Sequence, residues 1–184
     1  MNMVSPVLTL VMSIFNIYLM IVVLRLWLQL AKADFYNPFS QFTVKATQPI
    51  VAPLRRLLPS IGPVDTATLV FAILVSFAKI ITYTLISQGA VPPLLSAFIF
   101  SILSLIYQVM WLIFIILIIR AILSWVSQGN HPLEMVMGQL TEPLLSPIRR
   151  ILPAMGGLDL SVLVFLLALQ FIINIFSNTF GPFI

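Results

Sequence analysis

The sequence predicts an all-α membrane protein: four transmembrane helices in a tandem, parallel duplication of helix, interfacial loop and helix. Short amphipathic interfacial helices are expected in its two cytoplasmic loops. Three observations lead there. Of 184 residues, 61% are hydrophobic and 8% charged, with a mean hydropathy of +1.15, against about 25% charged in an ordinary soluble domain. The apolar residues fall in long runs instead of alternating along ~10-residue segments, which selects helices over barrel strands. Finally, PLRRLLPSIG at Pro53–Gly62 returns as PIRRILPAMG at Pro147–Gly156.

Four stretches, at about 6–31, 66–87, 94–127 and 160–180, meet the ~20 apolar residues that a helical span requires. The opening MNMVSPVLTL lacks a basic leader and its apolar run outlasts a cleavable signal, so it is expected to be a retained first span. Ser5-Pro6 offers that helix a cap and a proline in its first turn. In the connection that follows, Asn37-Pro38 can cap a short helix with Phe39, Phe42 and Ala46 on one side. Pro53 is then expected to start a separate helical turn and Pro59 to stop it, with Leu54, Leu57 and Leu58 on one face and Arg55 and Arg56 elsewhere. Asp65 stands where a carboxylate would cap the second span. The third stretch is the longest, and splitting it at Gln108 would leave too little for two crossings, so one tilted or protruding helix is expected. In the last connection Pro132 opens a helix with Leu133, Val136 and Leu140 at i, i+3 and i+7, and Asp159 caps the fourth span.

Aligned against each other, the halves read as one unit written twice, over residues 1–91 and 92–184. Arg25 falls on Arg120 at an offset of 95 and Pro49 on Pro143 at 94, a single deletion in the connection. Thr47–Asp65 against Thr141–Asp159 gives nine identities in 19 positions, among them Thr47/Thr141, Arg55/Arg149, Arg56/Arg150, Gly62/Gly156 and Asp65/Asp159. Two crossings return the chain to its starting side, so the repeats are parallel and not inverted. Lys32, Lys45, Arg55 and Arg56 gather in the first connection and Arg149 and Arg150 in the third, whereas QGAVPP between the second and third spans has no cation. The positive-inside rule therefore places both charged connections in the cytoplasm and both termini outside it. Trp27 beside Arg25, and Trp125 beside Arg120, fit an aromatic belt with snorkelling cations at the inner ends of their spans.

The paired arginines are the candidate binding residues. Near an anionic leaflet a basic residue contributes about 1 kcal/mol, so Arg55, Arg56, Arg149 and Arg150 together would supply ~4 kcal/mol. Two readings stay open: an anchor that fixes loop geometry at anionic lipid, or a dock for an acidic protein partner or a particular head group. Inside the spans, Lys79 lies 14 residues past Asp65, about 21 Å along a helix, where a cation must face a bundle interior, a wet cavity or a partner. All five acids, Asp34, Asp65, Glu134, Glu142 and Asp159, belong to connections or caps. Lys79 either lines an aqueous path or contacts another subunit, or it is solvated by Ser76, Tyr83 and backbone carbonyls. Gln170 and Asn174, at i and i+4, form a polar stripe with Asn178, which serves as interhelical glue or as part of a permeation path.

Other chemistry lacks its residues. There is no cysteine, and the lone His131 has no fellow ligands clustered around it, so no metal or other cofactor is expected. No phosphate-cradling glycine loop, nucleophile elbow or zinc-protease helix occurs, which argues against an enzyme. No basic stripe interleaved with aromatics is present, so nucleic acid is not an expected partner; membrane lipid, a protein partner or a second copy of the chain is.

The paired P-[LI]-R-R-[LI]-L-P segments, each followed by G-x-[VL]-D, together with DFYNPFSQF at 34–42 and SWVSQG at 124–129, resemble the YggT family over nearly the whole chain. The resemblance implies a small multi-pass protein of the bacterial inner membrane, associated with osmotic stress and cation homeostasis, with gene neighbours that suggest cell division. Plastid members are linked to cytochrome b6f haem maturation and nucleoid organisation. The family carries no agreed catalytic residues. The expected function is a non-enzymatic scaffold or assembly and stress-related factor working through the arginine elbows; the alternative is a component of ion or solute transport.

Overall fold

The computed structural model describes residues 4–34, 36–126, 132–151 and 160–181. Among the described residues six helices follow in chain order: α1 (Val4–Leu30), α2 (Pro38–Leu57), α3 (Thr66–Gln88), α4 (Leu94–Val126), α5 (Pro132–Arg149) and α6 (Leu160–Phe180). Four of them, α1, α3, α4 and α6, are long and apolar enough to cross a membrane, so the described residues are those of a helical membrane protein. The third of these is a single helix of 33 residues, ~50 Å long and so longer than the ~30 Å hydrocarbon layer. Helix α1 begins at Val4, which puts Ser5-Pro6 inside its first turn and not ahead of it.

The long helices pack in the sequence α1, α3, α4, α6, with α1 also touching α4. Helix α2 rests on α1 and α3, and α5 rests on α4 and α6. The starts of the two connecting helices meet: Asn37 Nδ2 donates to the Pro132 carbonyl at 2.9 Å, and Gln139 Oε1 accepts from the Asp34 amide at 3.2 Å. Both connections therefore sit at one end of the bundle. Asn37 also caps α2, its side-chain oxygen accepting from the Phe39 amide at 2.9 Å.

Helix α2 departs from the short helix and separate turn that its prolines suggest. It runs unbroken through Pro49 and Pro53, and α5 runs unbroken through Pro143 and Pro147. A proline inside a helix removes a backbone hydrogen bond and costs about 3 kcal/mol. Here all four rings lie on exposed faces, so they do not interrupt the packed side of either helix. The opposite face of α2, Ser40, Thr43, Thr47 and Val51, is buried at helical spacing and fixes the helix against α1 and α3. That face is not the expected one: Phe39 packs against the core, but Phe42 is 56% exposed. Leu54 and Leu58 likewise pack inward while Leu57 is left outside. Helix α2 stops at Leu57, and Leu58, ahead of Pro59, is extended, as a residue before proline prefers. A tight turn at Ile61–Val64, with Gly62 at φ 58, then returns the chain to α3, a left-handed conformation that glycine adopts without a Cβ clash.

Candidate functional site at the arginine-bearing connections

Each connecting helix is held by an arginine from the preceding long helix. Arg25, 1% exposed, donates from Nη1 to Thr47 Oγ1 at 2.6 Å and from Nη2 to Gln48 Oε1 at 2.8 Å. Thr47 passes the bond on, its hydroxyl donating to the Thr43 carbonyl at 2.7 Å. In the second half Arg120 donates from Nη1 to Thr141 Oγ1 and from Nη2 to Glu142 Oε2, the latter at 3.1 Å, and the Thr141 hydroxyl donates to the Met137 carbonyl at 2.6 Å. Arg25 therefore does not snorkel. Its guanidinium fork spans two donor directions toward α2, which a lysine could not do.

The arginine pairs of the connections divide between two tasks. Arg55 makes an ion pair with Asp65 through Nη2, with its Nε 3.1 Å from the same carboxylate oxygen. Gln29 completes that corner: with its amide nitrogen turned to Asp65 it lies 3.2 Å from Oδ2, and its oxygen then accepts from Arg55 Nη2 at 2.7 Å. Asp65 occupies the N-cap of α3, accepting from the Thr68 amide at 3.4 Å and from the Thr68 hydroxyl at 2.6 Å. Burial pushes this carboxyl up, but the bonds from Arg55 and Thr68 and the Arg55 charge outweigh it and hold the group at about 2. Arg149 donates from Nη1 to both oxygens of Glu142, at 2.8 and 2.9 Å. The expected set of four outward cations is thus smaller, because two of them turn to carboxylates of their own half. Arg56 and Arg150 are exposed. Asp159, the other expected cap, lies outside the described residues, as do His131 and Gly156.

Lys79 is 7% exposed and donates from Nζ to Ser104 Oγ at 2.9 Å, joining α3 to α4. Ser76 makes the parallel link, its hydroxyl donating to the Ser101 carbonyl at 2.7 Å. Among the described residues Lys79 has no carboxylate partner. Gln170 Nε2 donates to Asn174 Oδ1 at 3.3 Å within α6 itself, and Asn174 and Asn178 are exposed. The buried side of α6 is Ser161, Val162, Leu169 and Ile173. The polar stripe therefore runs from the half-buried Gln170 at the edge of the packed side to the exposed Asn174 and Asn178, and Lys79, Gln170 and Asn174 do not come together.

Sequence reasoning missed the Arg25–Thr47 and Arg120–Thr141 clamps. A signal was present: both arginines and both threonines are among the matched positions of the two halves. The sequence suggests snorkelling for both arginines because it does not by itself reveal that α2 and α5 fold back over the ends of the long helices.

The CCB3/YggT family profile matches residues 4–86 and 99–180. The chain is 52% identical over 174 residues to an uncharacterised protein in the proC 3′ region of Vibrio alginolyticus, covering 94% of each chain. It is 48% identical over 162 residues to YggT of Escherichia coli K12, covering 88% of this chain and 84% of that one. It is 43% identical over 159 residues to the uncharacterised protein PA0392 of Pseudomonas aeruginosa, covering 85% and 81%. No solved structure matches. With both halves matched by one profile and close relatives aligned over most of their length, the chain belongs to the CCB3/YggT family.

Proposed function

We propose that the protein is a non-enzymatic scaffold, or assembly and stress-related factor, of the bacterial inner membrane. It consists of one unit duplicated over residues 1–91 and 92–184, and its connecting helices hold outward arginines against anionic lipid or an acidic partner. The observation that carries this reading is the repeated clamp, Arg25 on Thr47 and Arg120 on Thr141, which fixes α2 and α5 at one end of the bundle. The matching contacts of α2 with α1 and α3, and of α5 with α4 and α6, support the duplication. With Arg55 and Arg149 in ion pairs, the outward Arg56 and Arg150 supply ~2 kcal/mol of attraction to an anionic leaflet, not ~4.

Apolar surface assists. Phe42, Ile50 and Leu57 are exposed on α2, and an apolar cleft of about 650 Å³ between α1, α2 and α3 is lined by Phe15, Tyr18, Leu54 and Phe71 among others. Such a surface suits an interfacial helix, its cations at the head groups and its apolar side chains at the acyl boundary. By the positive-inside rule, the grouping of cations at this end supports a cytoplasmic side for it and an outer side for both termini. The association with osmotic stress rests on family membership. Transport draws less support, because its candidate polar groups sit in separate places: Lys79 between α3 and α4, the half-buried Gln170 and the exposed Asn174 on α6.

The test is the Arg56→Gln/Arg150→Gln double variant, scored for survival of osmotic upshift at matched protein level and for ion flux in proteoliposomes. Survival is expected to fall, with no flux from either protein. Normal survival of the variant, or a flux that Lys79→Met removes, refutes the proposal.

A further inference from the structure

The two halves differ by one charge at the clamp, and a recess opens beside the arginine whose partner lacks it. Behind Thr141 stands Glu142, a carboxylate that pairs with Arg120 as well as with Arg149. At the matching position behind Thr47 stands Gln48, whose amide oxygen is neutral. Arg25 is nonetheless fully buried, and among the described residues it has no carboxylate partner and its Nε has no acceptor. The neighbouring Asp65 is already bonded to Arg55 and Thr68. A buried cation without a counter-charge is costly.

Arg25 lines a recess of about 460 Å³ beneath α2, shared with Lys32, Arg55, Ser40, Ser60 and Asp65. Three cations thus face one carboxylate. Ser40 is 4% exposed and its hydroxyl is without a partner. Lys32 has φ 50, a left-handed conformation that residues other than glycine seldom adopt and that recurs at binding sites. The donors come from different elements: Arg25 from α1, Ser40 from α2 and Lys32 from the link between them. Donors converging from several directions suit a tetrahedral oxyanion better than a planar one, and charge-assisted bonds to it are the strong ones.

We propose that this recess binds a phosphate-type anion, either the phosphoryl group of an anionic lipid head group or free phosphate, with Arg25, Lys32 and Ser40 as its donors. The site is separate from the outward Arg56 and Arg150, so it stands whether or not those arginines dock lipid or protein.

The decisive variant is Gln48→Glu, which gives Arg25 the carboxylate that Arg120 already has; the second half demonstrates that the pairing fits. Ser40→Ala, which removes one donor and little volume, is the second variant, and Lys45→Gln, exposed on α2 and outside the recess, is the charge-matched control. The full chain is purified in non-ionic detergent and its thermal unfolding followed against inorganic phosphate, with chloride at equal ionic strength as reference. In parallel, native mass spectrometry counts the phosphatidylglycerol retained from mixed phosphatidylglycerol–phosphatidylcholine nanodiscs. Gln48→Glu is expected to weaken binding about tenfold or more, Ser40→Ala to weaken it less, and Lys45→Gln to behave as wild type. Loss of the phosphate response in Gln48→Glu identifies a free anion; loss of retained phosphatidylglycerol identifies a head group. If wild type binds neither probe, or if Gln48→Glu and Ser40→Ala both bind as tightly as wild type, the proposal is overturned. A stress defect of Arg56→Gln/Arg150→Gln with recess binding intact separates this site from the outward elbows.

Discussion

Replacing Asp65 tests whether the corner joining α2 to α3 is held by charge. Its carboxyl is displaced from an ordinary 3.8 to about 2, worth ~2 kcal/mol at about 1.4 kcal/mol per pKa step. Asp65 is buried, but its partner Arg55 has a side chain 37% exposed, and solvent screening lowers the effect to about 1–2 kcal/mol. Asp65→Asn keeps an oxygen for the Thr68 amide and should lose about that amount. Asp65→Ala also removes the helix cap and should lose ~1 kcal/mol more. The sign with pH follows from the depressed value: the stabilisation is present above ~4, where the unfolded chain's carboxyl ionises, and disappears as pH falls toward ~2. The assay is reversible unfolding in mixed micelles by SDS titration, at neutral pH and at steps below it. A neutral-pH stability of Asp65→Asn equal to wild type, or the same acid sensitivity in both proteins, would refute the reasoning.

Thr47→Val should cost ~2–3 kcal/mol in the same assay, because it strips a buried guanidinium of its bond. Thr141→Val should cost less, since Arg120 retains Glu142; equal costs would count against the charge difference between the halves. Lys79→Met should fold at wild-type level with unchanged or slightly raised stability, its one bond to Ser104 being replaced by apolar packing; a stress defect at normal protein level would give Lys79 a function. Gln170→Leu/Asn174→Leu should abolish self-crosslinking through α6 if the outward stripe pairs two copies, and crosslinking that persists excludes that face.

The spans were legible because they depend on composition and length alone: each of the four apolar runs becomes one helix, including the long one that Gln108 fails to break. Asp65 was legible for a similar reason, since capping is a local geometry set by neighbours three residues away. The connections were misread where local rules and packing disagree. Pro49 and Pro53 argue for a break, yet Ser40, Thr43, Thr47 and Val51 form a small-residue face that docks on α1 and α3, and docking prevails because the rings lie on the opposite, exposed face. Arg55 and Arg149 look like free cations in the sequence, yet Asp65, ten residues on, meets Arg55 once the chain turns back into α3, and Glu142 meets Arg149 from two turns earlier on the same face of α5.

The sequence by itself determined that this chain is helical, membrane-embedded and a member of its family. Hydropathy and motif identity are sums over residues, and they do not depend on how the helices meet. Tertiary structure alone decided which cations are spent internally and which face outward, that Arg25 is buried under α2, and that it stands beside a recess with Gln48 where its counterpart has Glu142. A guanidinium's role is set by what lies within about 3 Å of it, and those neighbours are about 20 residues distant along the chain.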